Sequence, residues 1–194
     1  MIPVTQINGR AIPLGRDNVD TDQIIAAEHL KTVSRNGLGC HAFERLRSEP
    51  GNVFNEPVFA GAPILIAGAN FGCGSSREHA VWAITDLGIR AVIAESFSDI
   101  FSANAFKNGI VTVPLDRADI DRLMTIARTG PITVDLEAMT VSAGGVQTAF
   151  SLDPFRRDCL LRGLDEIALT LASESAILAY EKRVGSRARS LQSR

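Results

Sequence analysis

Residues 63–88 read PILIAGANFGCGSSREHAVWAITDLG, and they decide how the rest of the chain is organised. Ile64, Leu65, Ile66 and Ala67 form an apolar run too short for a buried helix and rich in branched residues, which predicts a buried strand. Gly68, Gly72 and Gly74 punctuate the loop that follows. From Glu78 onward Ala80, Val81, Ile84 and Leu87 fall on one face of a helix, and Gly88 supplies the stop. Ser75 and Glu78 have the spacing of a capping box, so the helix is expected to begin at Ser75.

A strand, a glycine loop and a helix start place free backbone N–H groups and the positive end of a helix dipole at one spot. Ser75, Ser76 and Arg77 bring two hydroxyls and a guanidinium to the same place. The planar fork of an arginine holds a carboxylate through two parallel hydrogen bonds, which a lysine cannot do, so the expected ligand carries a carboxylate. The blander alternative is a capped helix after a turn that binds nothing, and the residues of this segment alone leave both open.

Two better-known loops are excluded. No Gly-x-x-x-x-Gly-Lys-Ser/Thr occurs. Gly72-Cys73-Gly74 begins like a dinucleotide fingerprint, but Arg77 stands where the third glycine must allow close helix packing.

Composition narrows the function classes. The 194 residues are 45% hydrophobic and 22% charged with a formal net charge of −2, which gives no basic excess for nucleic-acid binding. No apolar run approaches a membrane span and no leader pattern opens the chain, which predicts a cytoplasmic protein. Cys40, Cys73 and Cys159 are scattered, with no Cys-x-x-Cys, so neither a disulfide framework nor an iron–sulfur cluster held by this chain is expected. The three histidines are also scattered along the sequence, and no metal site is expected.

Outward from the central unit, Ile2, Val4 and Ile7 alternate before Asn8-Gly9, which predicts a hairpin edge within residues 1–15. Asp17, Asn18, Asp20 and Asp22 read as turn and cap residues. Lys31 and Arg35 are the cations of a segment ending in Asn36-Gly37-Leu38-Gly39, which signals a mobile loop, and residues 40–47 suggest a short helix. Residues 89–94 and 110–113 read as further buried strands separated by a helix over 98–107, and a second helix spans 119–128. This alternation implies parallel pairing and an α/β core. Residues 132–134 and 139–150, broken by Gly144-Gly145, suggest antiparallel strands, and Asp153-Pro154 opens a helical C-terminal stretch.

Several of these stretches together match one family. Asp20-Thr21-Asp22-Gln23-Ile24-Ile25, the run from Asn70 to Ala80, Phe106-Lys107-Asn108-Gly109, and Phe155-Arg156-Arg157-Asp158-Cys159 leading to Tyr180 resemble the small subunits of bacterial 3-isopropylmalate dehydratase, in the aconitase superfamily. The resemblance covers nearly the whole chain and departs from many relatives at Ala26, where proline is common. It implies a swivelling β/β/α domain over residues 1–151, while the helical pattern after it predicts an extension over 152–184 and Arg187, Arg189 and Arg194 among serines predict a disordered tail over 185–194. It also implies a large-subunit partner carrying a [4Fe–4S] cluster, with no cofactor bound by this chain, and a small dicarboxylate substrate. The reaction would be the interconversion of 2- and 3-isopropylmalate by dehydration and rehydration.

Residue by residue, the resemblance makes Ser75 the base that removes a proton next to a carboxylate, and Ser76 and Arg77 carboxylate-binding groups. Asp22 and Gly74 would support the site. Lys31 and Thr32 would fall in the loop that reads the substrate's side group. A helix N-terminus favours an anion by up to about 2 kcal/mol, and a nearby arginine shifts an acid by about 1 to 3 pKa units. Together these are too little to ionise a serine at neutral pH. Ser75 therefore needs a closed, water-poor site with the partner's iron acting as Lewis acid, and the chain alone should be inactive. Its assignment as both base and cap conflicts, and Ser76 is the substitute base. Rival readings are a sister hydro-lyase acting on homoaconitate, citraconate or methylmalate, and a non-catalytic anion-binding or regulatory module.

Overall fold

A computed structural model describes residues 1–192, with side chains described through residue 184. The chain first forms β1 (Gln6–Gly9) and β2 (Ala11–Pro13), then α1 (Thr21–Ile24). Short 3₁₀ turns at Ala27–Lys31 and Gly39–His41 precede α2 (Glu44–Arg47), and two more at Val53–Asn55 and Pro57–Phe59 lead into β3 (Ile64–Ile66). The central alternation follows as α3 (Glu78–Asp86), β4 (Ala91–Ala94), α4 (Asp99–Lys107), β5 (Val111–Pro114) and α5 (Arg117–Ala127). The antiparallel strands are β6 (Ile132–Asp135), β7 (Thr140–Ala143) and β8 (Val146–Ala149). Helices α6 (Pro154–Arg162), α7 (Glu166–Leu171) and α8 (Glu174–Gln192) complete the chain.

There are two sheets. Strands β2-β3-β4-β5 pair in that order, all parallel, whereas β1-β6-β7-β8 pair antiparallel. The alternation of side chains along each strand makes them layers of one body. Ile64 and Ile66 point with Ala91, Ile93, Val111 and Val113 into a core shared with Ile7, Ile132, Val134 and Val141 of the antiparallel sheet. Leu65, Val92 and Ala94 point the other way, onto Val81 and Ile84 of α3 and Phe101 and Ala105 of α4. The order of layers is therefore β/β/α, and β3 is buried on both faces as its unbroken apolar run requires.

Two expectations about local elements change. The hairpin within residues 1–15 does not form: β1 pairs with β6 and β2 with β3, so Arg10 marks a switch between sheets. A Cβ at Gly9 would lie 2.7 Å from the Pro63 ring, and this close approach turns the chain between layers. The helix over residues 40–47 is interrupted because buried Phe43 adopts φ +56°, leaving a 3₁₀ turn and α2 on either side.

The boundary expected at 151 also moves, since the first compact unit is Met1–Gly163 and the second starts at Leu164. Helix α6 belongs to the first unit because Cys159 and Leu160 are buried, Leu160 O accepts from Val4 N at 2.9 Å, and Arg157 donates to Leu136 O and Glu137 O. It begins as its sequence demands, with Asp153 capping Arg156 N and Pro154 in the first turn, and ends at Gly163 in the left-handed region. The second unit holds α7, capped by Asp165, and α8. Backbone helix continues to Gln192 where a disordered tail was expected from 185; residues 193 and 194 lie outside the described residues.

Candidate active site

The glycine loop after β3 is held in place from below by tightly packed contacts. Phe71 is fully buried against Phe101, with ring centroids 5.1 Å apart. Gly72 follows at φ +73°, and a Cβ there would lie 2.3 Å from Phe101 Cγ. Its N–H donates to Val19 O at 2.8 Å, and its carbonyl accepts from Ser98 Oγ at 2.6 Å. Ser98 also caps α4, so one side chain fixes both the loop and the next helix.

The next peptides lie across the start of α1. Asp20 and Cys73 form a parallel bridge, and Thr21 N donates to Cys73 O at 3.0 Å. Thr21 is 3% exposed, and its hydroxyl donates to Ser75 O at 3.1 Å. Gly74, at φ +91°, makes the turn a side chain would strain. The Ser75 backbone is thereby fixed while the side chains of Ser75 and Ser76 stay exposed. Half-buried Arg77 donates from Nη1 to Asp22 Oδ1 of α1, joining segments far apart in sequence. A partly exposed pair of this kind is worth about 0.2–1 kcal/mol, so its main effect is to aim the guanidinium. Among the described residues no other hydrogen bond engages the Arg77 guanidinium, which leaves its remaining N–H groups to a carboxylate.

The capping box expected at Ser75 is absent. Helix α3 starts at Glu78 with Arg77 as an extended N-cap and no side-chain cap. Glu78 accepts from Trp82 Nε1 and Asn108 Nδ2 instead of reaching back. The conflict between base and cap is thereby removed: among the described residues no hydrogen bond engages the hydroxyl of Ser75 or Ser76. The uncapped first turn leaves backbone N–H groups beside Arg77, the arrangement an anion needs.

The segment from Lys31 to Gly39 is tied to one face of α3, an arrangement missed in the sequence. His79 Nε2 lies 2.9 Å from Thr32 O, Arg35 stacks over Trp82 at 5.2 Å, and Asp86 accepts from Gly37 N and Gly39 N at 2.9 and 2.7 Å. His79, Trp82 and Asp86 stand at i, i+3 and i+7, which is the available signal, though nothing local names their partners. Thr32 is thus anchored near the start of α3, and Lys31, the residue before it, is exposed. Asp22 meets Arg77 directly, Gly74 and Ser75 are held against Thr21 beside Asp22, and Thr32 is tied to α3 through His79; no contact joins the Lys31 side chain to them among the described residues.

A second grouping lies at the base of the same segment. His29 and His41 stack at 3.8 Å, and Glu44 Oε2 lies 2.8 Å from His29 Nε2 and 3.5 Å from His41 Nδ1. The hydrogen bond with His29 holds the Glu44 carboxyl below its ordinary value. The expectation that the histidines are scattered therefore fails in space. The cysteines do not converge: Cys40 is exposed, Cys73 half-buried and Cys159 buried, and the one metal-capable grouping among the described residues contains none of them. They do not fit an iron–sulfur cluster.

The layered fold and its loop have a recognised counterpart, since the aconitase C-terminal domain matches residues 1–118. The chain is 60% identical over 185 residues to the 3-isopropylmalate dehydratase small subunit of Novosphingobium aromaticivorans, covering 95% of this chain and 92% of that protein. It is 62% identical over 184 residues to that of Erythrobacter litoralis, covering 94% and 92%. A crystal structure of 3-isopropylmalate dehydratase from Methanocaldococcus jannaschii superposes with a TM-score of 0.68 at 28% identity, covering 91% of this chain and 99% of that one. The chain belongs to the family of 3-isopropylmalate dehydratase small subunits.

Proposed function

We propose that this chain is the small subunit of a hydro-lyase that interconverts 2- and 3-isopropylmalate through 2-isopropylmaleate, a step of leucine biosynthesis in the cytoplasm. The observation that carries the reading is the pair of exposed, unengaged hydroxyls at Ser75 and Ser76 beside a guanidinium already aimed by Asp22. A dicarboxylate fits this arrangement. Arg77 and Ser76 bind one carboxylate, and the first turn of α3 adds backbone donors. Lys31 and Thr32, in the segment that His79 ties to α3, are assigned to the other end of the substrate.

Dehydration takes a proton from the carbon next to a carboxylate and hydroxide from its neighbour, leaving a double bond; rehydration adds them in the opposite sense. Ser75 removes and returns the proton. An exposed serine cannot do so in water, so the site must be covered by a second chain that excludes solvent. That chain would be the large subunit, whose [4Fe–4S] cluster would supply a Lewis acid for the departing hydroxyl.

Reconstitution with the large subunit and assay on 2-isopropylmalate tests the whole reading. Ser75→Ala is expected to lower turnover by roughly 10²–10⁴-fold, the range of a lost general base, with complex formation unchanged. Turnover that survives, or a pair that prefers homoaconitate, citraconate or methylmalate, would replace the reading with a different base or a sister enzyme.

A further inference from the structure

His29, His41 and Glu44 form a ligand set that the proposed reaction does not use. The two imidazoles and the carboxylate offer ligand atoms that all lie within 4.8 Å of one another. The spacings from Glu44 Oε2 are 2.8 Å to His29 Nε2 and 3.5 Å to His41 Nδ1. Tetrahedral zinc with bonds of about 2.0–2.2 Å needs neighbouring ligand atoms roughly 3.3 Å apart, which the two spacings from Glu44 bracket, while the His29 and His41 rings, stacked at 3.8 Å with their planes 17° apart, must splay for both in-plane lone pairs to reach one ion. Two histidines and one carboxylate leave a fourth position for water, and the grouping is exposed enough for an ion to enter: the side chains of His29, His41 and Glu44 are 19%, 39% and 54% exposed.

The surroundings favour a cation moderately. Glu28 Oε1 lies 3.6 Å from His29 Nε2 and adds a second negative charge. Arg47 is a fixed cation nearby, donating to Cys40 O at 3.3 Å, and it limits the affinity. Imidazole with carboxylate suits zinc, nickel or copper rather than magnesium or calcium.

Position gives the grouping a consequence. His29 lies in the 3₁₀ turn Ala27–Lys31 and His41 in the turn Gly39–His41, so the two imidazoles stand at the two ends of the segment that α3 holds through Thr32, Arg35, Gly37 and Gly39. We propose that His29, His41 and Glu44 bind one borderline divalent transition cation, typified by zinc, which clamps the two ends of this segment together.

The test is zinc binding to the tag-free full chain under reducing conditions, followed by competition with a chromophoric chelator, with hydrogen exchange over residues 29–41 measured in parallel. The expected result is one equivalent bound with a dissociation constant on the order of micromolar, and slower exchange across the segment when zinc is present. His29→Gln and His41→Gln should each weaken binding by about tenfold or more, with unfolding midpoints close to wild type. Glu44→Gln, at an exposed position, repeats the test with a variant that keeps a similar shape. Absence of stoichiometric binding, or binding that persists unchanged in these variants and so belongs to the thiols, overturns the proposal.

Discussion

At the scale of single residues, the site depends on where two side chains are held. Arg77 is turned by Asp22, and in the proposed reaction its value to a carboxylate would lie in presenting two parallel N–H groups. Arg77→Lys keeps the charge but loses the fork, so KM of the reconstituted enzyme is expected to rise by about 10–100-fold, the equivalent of one charged hydrogen bond of about 1.5–3 kcal/mol. Steady-state kinetics checks it, and an unchanged KM would remove Arg77 from substrate binding. Gly72 carries a different burden. Its φ of +73° and the 2.3 Å that would separate a Cβ from Phe101 Cγ make alanine both strained and overpacked. Gly72→Ala should cost about 2–5 kcal/mol, read as a lowered urea midpoint, the sum of the usual backbone and packing penalties.

At the scale of elements, α3 does two things. Its first turn faces the glycine loop, and its flank at His79, Trp82 and Asp86 carries the segment from Thr32 to Gly39. The sequence signalled that segment as mobile, and the hydrogen bonds to Asp86 show what holds it. Asp86→Ala removes the shared acceptor of Gly37 N and Gly39 N, so their amides should exchange faster while those in the interior of α3 keep their protection. Hydrogen exchange with mass-spectrometric readout decides this. The start of α3 was read one turn too early because Ser-x-x-Glu is a local cap signal, whereas Glu78 is claimed by Trp82 and Asn108. The strands, the crossover helices and the residues of the loop were legible because each follows from periodicity within a short window.

At the scale of the whole molecule, the two sheets and α6 form one compact unit in which Cys159 of α6 is buried. Burial pushes the Cys159 thiol up, with the neighbouring Asp158 adding to the effect, while Cys40 is exposed. A raised thiol pKa favours the folded state up to the ordinary thiol value near 8.5, and that contribution is lost as pH rises through the folded value. Iodoacetamide at mildly alkaline pH should therefore label Cys40 while Cys159 stays unmodified until the chain is unfolded. Peptide mapping reads the order, and early labelling of Cys159 would show that α6 opens independently of the core.

The sequence by itself determined the parallel strands and their helices, the glycine loop with its hydroxyls and guanidinium, and the family resemblance those residues carry. These are set by local torsion, short-range periodicity and side-chain chemistry. Only the tertiary structure decided that β1 and β2 part into different sheets, that Asp22 rather than a cap orients this end of the site, and that His29 and His41 meet at Glu44. Each of those outcomes joins residues that no local pattern pairs: they are brought together by burial of the layers on either side of β3, and hydrophobic burial specifies which faces are covered without recording in the sequence which polar groups will then be neighbours.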